Sequence, residues 1–148
     1  MSIIDSVLRW LLPSFGHPVA ISQELVDSCI EASEGSHPNE FLCLLAGEKG
    51  VEGYADDEVV LTDFYVIPGT KTSSTMATLQ NHNIPTGMTV YGSLHSHPNG
   101  VLRPSDQDLS MFTRYPVNII VGAPYEGDSW QVFDSSGEKV NLEVTTVV

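Results

Sequence analysis

Two histidines stand one residue apart in Ser93-Leu94-His95-Ser96-His97-Pro98, and Ser105 and Asp108 follow closely. The rest of the chain holds only three more, His17, His37 and His82. On a strand, side chains at i and i+2 point to the same side. His95 and His97 therefore aim at one spot, with Ser96 turned away. Neutral imidazoles are good zinc ligands. Pro98 and Gly100 let the chain turn back, Ser105 starts a helix, and Asp108 lies about one turn along it. Asp108 is the candidate third ligand. Three protein ligands leave one corner of a tetrahedron for water, the catalytic rather than the structural arrangement.

Such a site needs a general base outside the ligand set. Glu40 heads the apolar run Phe41-Leu-Cys-Leu-Leu-Ala-Gly47. A carboxylate at the head of a buried strand is costly without a partner or a task, so Glu40 is the candidate base. Ser105 is placed to donate a hydrogen bond to a developing oxyanion. Each part also has a plainer reading. His-x-His occurs on surface strands, Ser105-x-x-Asp108 is a helix-capping pattern, and Glu40 suits an exposed strand end. His17, His37 and His82 read as surface or turn residues. The conjunction carries the metal reading.

The elements that must hold these residues follow from periodicity. Ile3, Ile4, Val7, Leu8, Leu11 and Leu12 repeat at helical spacing, which predicts an amphipathic N-terminal helix and linker over residues 1–17. It suits docking on the domain, on a partner or a second copy of the chain, or on a membrane surface. Residues 18–148 read as the main domain. Val19–Ile21 is a short strand, and Ser22 caps a helix with Leu25, Val26, Cys29 and Ile30 on one face and Gly35 at its end. The run from Glu40 reads as a strand buried on both faces. Strands are expected at 58–67, 88–94, 117–121, 130–133 and 140–147, with a helix over 105–114. Residues 68–87 read as a long polar loop with a short helix around Met76–Leu79. Strands with interspersed helices give a mixed α/β sandwich.

Composition narrows the partners. Hydrophobic residues make up 41% of the 148, enough for a globular core. Three lysines and three arginines face nineteen acids, for a net charge of -13. That argues against sequence-independent nucleic-acid binding and against docking to anionic lipid, and it favours a basic patch on a partner. Cys29 and Cys43 form no C-x-x-C and read as buried thiols. The N-terminal run is too short to span a bilayer and lacks the basic start of a signal peptide, so a cytoplasmic protein is expected.

The conjunction resembles the JAMM (MPN-plus) metalloprotease family, whose motif is an upstream glutamate, then His-Ser/Thr-His-Pro, six residues, and Ser-x-x-Asp. Here it stands as Glu40, His95-Ser96-His97-Pro98, residues 99–104, and Ser105-Asp106-Gln107-Asp108. The resemblance covers roughly residues 18–148. It implies a mixed, mainly antiparallel curved sheet flanked by helices, of the cytidine-deaminase-like kind. It implies one zinc per chain on His95, His97 and Asp108, with Glu40 as general base and then acid, and Ser105 as oxyanion donor. Family members cleave isopeptide or peptide bonds after the C-terminal glycines of ubiquitin-like proteins. The acidic composition is similar to the archaeal branch, whose members remove ubiquitin-like modifiers (SAMPs) from lysines. Bacterial relatives trim sulfur-carrier proteins of the same β-grasp fold. An extended Gly-Gly tail suits a narrow groove and a strand edge, and the 68–87 loop is the candidate flap over it.

Two other readings stay open: a metal hydrolase acting on a small substrate, and a non-catalytic MPN scaffold or binding module. No H-E-x-x-H, G-x-S-x-G or phosphate-binding glycine loop competes with the motif.

Overall fold

The chain passes from extended to helical at Ser22, whose hydroxyl accepts from the Leu25 amide at 3.1 Å. Strand β1 (His17–Ser22) ends there and helix α1 (Gln23–Ser36) begins, with Glu24 in the first turn where a carboxylate favours the open amide end. Leu25, Val26, Cys29 and Ile30 are buried, as their spacing predicts. The helix runs past Gly35 to Ser36 because Pro38 is what stops it. A proline bars its predecessor from helical geometry, and His37 is extended at φ -52, ψ 134. The structure, a computed structural model, describes residues 16–66, 71–72, 77–78 and 89–148. The expected N-terminal helix, His82 and most of the 68–87 flap segment lie outside the described residues.

Six further strands join β1 in one sheet among the described residues: β2 (Leu42–Glu48), β3 (Glu58–Tyr65), β6 (Gly92–His97), β7 (Val117–Gly122), β8 (Trp130–Phe133) and β9 (Glu143–Thr145). A separate two-residue pair, β4 (Lys71–Thr72) with β5 (Ala77–Thr78), runs antiparallel. Ala77 and Thr78 are thus extended where a short helix was expected, in keeping with the β-branched threonines of both strands. Helix α2 (Asp106–Phe112) follows β6. The sheet order is β8-β7-β6-β2-β3-β1-β9. The β8–β7, β6–β2 and β2–β3 pairs are antiparallel, and β7–β6, β3–β1 and β1–β9 are parallel, so the sheet is mixed.

The sheet must also curl. Beyond β8, Lys139 still bridges to Phe133, and only residues 140–142 separate it from β9. Four Cα steps reach at most about 14 Å. In a flat sheet β8 and β9 would stand about 29 Å apart, six strand spacings. The two edges meet that short connection only if the sheet rolls toward closure.

Both faces are covered, which explains the uninterrupted apolar run of β2. On one face α1 packs against Cys43, Leu45, Leu94, Ile119, Val121 and Val132. On the other, Phe112 of α2 packs against Ile120 and Phe133. Cys29 and Cys43 are buried free thiols. Gly137, at φ 87, brings the β8–β9 connection over α2, where a Cβ would collide with Leu109. Along β6 the alternation sends Leu94 into the α1 layer and His95 toward Phe112, with ring centroids 6.2 Å apart. The histidines therefore share a face with the helix that carries Asp108. Because Leu94 faces away from them, Leu94→Ala should lower stability by about 2–5 kcal/mol through the cavity it leaves. Denaturant midpoints read that loss, and metal uptake by the still-folded variant should be unchanged.

Candidate metal centre

Strand β6 delivers His95 and His97 to one side, and the capped start of α2 brings Asp108 to meet them. His95 Nε2 lies 3.0 Å from His97 Nε2. Asp108 Oδ1 is 3.1 Å from His95 Nε2, and Oδ2 is 3.1 Å from His97 Nε2. His97 Nδ1 donates to the Val101 carbonyl at 2.6 Å, which turns Nε2 inward as a ligand-binding imidazole requires. The loop itself is fixed, because the His97 carbonyl accepts from the amides of Gly100 and Ala123. His95 is buried, and its Nδ1 has no hydrogen-bond partner among the described residues. An orphaned buried nitrogen costs about 1–3 kcal/mol, a cost this strand bears while Nε2 faces the cluster.

Ser105 and Asp108 form a reciprocal capping box. The Asp108 amide donates to Ser105 Oγ at 3.1 Å, and the Ser105 amide donates to Asp108 Oδ2 at 2.8 Å. The capping reading and the cluster reading of Ser105-x-x-Asp108 are therefore both true of the same atoms. Burial works against the Asp108 carboxylate, but hydrogen bonds from His95, His97 and the Ser105 amide hold it well below the usual range. Burial also works against a charged His97, yet its bonds to Asp108 and Val101 and the charges of Asp108 and Glu40 raise its pKa.

Glu40 is 6% exposed, just ahead of β2. Burial pushes its pKa up to about 7; His97 lowers it and Asp108 raises it. The plainer reading of an exposed strand-end acid does not hold. Its neighbour Phe41 is buckled to β6: the Phe41 amide donates to Ser96 Oγ at 2.8 Å, and the Ser96 amide donates to the Phe41 carbonyl at 2.9 Å. Ser96 is turned away from the histidines as expected. Its role in holding the Glu40 segment was missed, although its place between two inward residues pointed to a task on the opposite face. The Val101 carbonyl had no sequence signal, since any residue supplies one. On the other side of the turn, His37 Nδ1 lies 2.7 Å from the Tyr125 hydroxyl, so His37 ties two loops and joins no metal cluster among the described residues.

Among the described residues, His95, His97 and Asp108 are the group that could hold a cation. Zinc fits this set. Ligands at about 2.0–2.1 Å on a tetrahedron stand about 3.3 Å from one another. The two imidazole nitrogens are 3.0 Å apart, and each lies 3.1 Å from one oxygen of the Asp108 carboxylate. Two imidazoles and a carboxylate leave a fourth corner open, near a carboxyl group poised close to neutrality.

Comparison with known proteins agrees with this geometry. Residues 22–133 match the family of prokaryotic homologs of the JAB domain. A probable metalloprotease of Haloferax volcanii is 46% identical over 127 residues, 85% of this chain and 79% of that protein. A solved structure described as a JAMM metalloprotease-like zinc site in the proteasome and signalosome aligns with a TM-score of 0.65 at 34% identity, over 87% of this chain and 99% of that one. A JAB1/MPN domain protein from Archaeoglobus fulgidus aligns at 0.64 and 35% identity, over 85% and 98%. The motif, the curled mixed sheet and these similarities agree: the chain belongs to the prokaryotic JAB-domain family and is a metalloprotease of the JAMM type.

Proposed function

We propose that the chain is a zinc-dependent isopeptidase or peptidase that hydrolyses the bond after the C-terminal Gly-Gly of a ubiquitin-like β-grasp protein, releasing it from lysine conjugates. The observation that carries this reading is the convergence of His95, His97 and Asp108 within 3.1 Å of one another beside the buried Glu40. His95, His97 and Asp108 would hold one zinc ion. When bound, zinc supplies a Lewis acid that acidifies water and polarises a carbonyl.

Glu40 takes the proton of the attacking water and returns it to the leaving amine nitrogen. A carboxyl near pKa 7 serves both halves of that cycle at neutral pH. Ser105 Oγ accepts from the Asp108 amide, so its own proton is left to donate to the oxyanion. A glycine tail lacks side chains and can lie extended in a narrow groove. The charge of -13 favours approach of a basic partner surface. No described helix is long and apolar enough to cross a membrane, and we place the activity in the cytoplasm.

The test incubates purified protein with a lysine-linked conjugate of a ubiquitin-like protein, with and without chelator. Cleavage after Gly-Gly should occur, stop with chelator and return with zinc. A zinc-loaded protein that leaves such conjugates and linear Gly-Gly fusions intact ends the proposal. Glu40→Ala should keep zinc and the fold while cleavage falls about a hundredfold or more. A near wild-type rate would remove Glu40 as the base. His97→Ala should lose both zinc and cleavage; an unchanged metal content by elemental analysis would take His97 out of the ligand set.

A further inference from the structure

Asn118 lies on β7, fully buried, beside its register partner Ser93 on β6. Ser93 Oγ donates to Asn118 Oδ1 at 2.6 Å. Asn118 Nδ2 donates to the Phe112 carbonyl at 3.2 Å and to the Tyr115 carbonyl at 3.0 Å. Ser93 is two residues before His95, on the same side of β6. Phe112 is the last residue of α2, four beyond Asp108. One buried amide thus joins the strand that carries both histidines to the end of the helix that carries Asp108.

Apolar packing alone is a poor guide for that helix. Phe112 against Ile120 and Phe133 sets the spacing between α2 and the sheet. Such contacts are non-directional and leave a seven-residue helix free to slide or turn. Helices this short are marginal by themselves, and their last carbonyls need partners. Hydrogen bonds are directional, and one of these ends on the last carbonyl of α2, at Phe112, and the other on Tyr115 in the connection to β7. The capping box fixes the other end.

We propose that the Ser93–Asn118 pair is a positioning device that sets α2 along the sheet so that Asp108 meets His95 and His97. Neither residue belongs to the Glu40, His-Ser-His-Pro and Ser-x-x-Asp motif, and neither side chain joins the donor cluster. Both act through Asp108, so the inference rests on the metal reading above.

The test uses the full chain with Asn118→Leu and Ser93→Ala, at a temperature where circular dichroism shows each variant folded. Zinc affinity is measured by competition with a chromophoric chelator, and the cobalt-substituted protein gives a visible spectrum that reports donor geometry. Asn118→Leu should weaken zinc binding about tenfold to a hundredfold, the range for residues that orient ligands, and should shift the cobalt bands. Ser93→Ala should do the same to a smaller degree, and it decides alone where Asn118→Leu does not fold. Lower melting temperatures with wild-type affinity and spectrum would make the pair merely structural and overturn the proposal. A wild-type chain that takes up neither zinc nor cobalt would overturn the metal reading itself, a distinguishable result.

Discussion

The reciprocal cap at the start of α2 is the constraint on which the site depends. A side chain on a helix ordinarily samples several rotamers. Asp108 does not have that freedom, because its Oδ2 closes the cap by accepting from the Ser105 amide. The same oxygen faces His97, and its twin faces His95. Moving the carboxylate toward solvent would open the cap and break both histidine contacts together. Local helix chemistry, worth about 1 kcal/mol in an ordinary cap, here also sets the donor geometry.

Electrostatics adds a second constraint. Glu40, His97 and Asp108 are ionisable groups gathered in a partly buried space. Their charges are balanced unevenly: Asp108 is held ionised by its hydrogen bonds, while Glu40, mainly desolvated, is pushed up to about 7. Two carboxyl groups in one site thus differ in protonation, one held as an anion and one able to exchange a proton near neutral pH. The difference comes from surroundings, since Asp108 faces amide and imidazole donors and Glu40 sits at the mouth of an apolar strand. A cation on the three donors would favour ionised Glu40, the form that accepts a proton.

Much of this was legible in the sequence, for a physical reason. His95 and His97 share a side through strand period, and Ser105 and Asp108 meet through helix period, so local spacing alone places them. Glu40 is different. It reaches the site because β2 lies beside β6, with Leu42 opposite His95, a long-range pairing that periodicity does not encode. The cost of a carboxylate heading a buried strand nominated Glu40, and the resemblance to a known motif tied it to the histidines. The crossing of β9 to the far edge was not legible either, since a short connection after β8 suits a hairpin and only the curl of the sheet makes the crossing feasible. The end of α1 was misplaced by one residue because Pro38 outweighs Gly35 as a helix stop. Ala77 and Thr78 were misread because a four-residue window cannot separate a helical turn from a short strand.

The loop after β6 completes the argument. β6 and β7 run parallel, so their C-terminal ends lie side by side, and residues 98–104 must return across that edge. They do so in close contact, since a Cβ on Gly122 would meet Leu102 and Gly100. The His97 carbonyl accepts from the Gly100 amide of this turn and from the Ala123 amide just past β7, and its ring nitrogen donates to Val101. His97 is thus held at backbone and ring, Asp108 by its cap, and the Glu40 segment by Ser96. His97 and Asp108 are each held by contacts outside the donor cluster. A site built this way loses little conformational entropy on binding metal. The folded chain instead bears the cost of gathering three donors, which a cation on them would offset, while the unpartnered Nδ1 of His95 is the ring nitrogen that does not face the cluster.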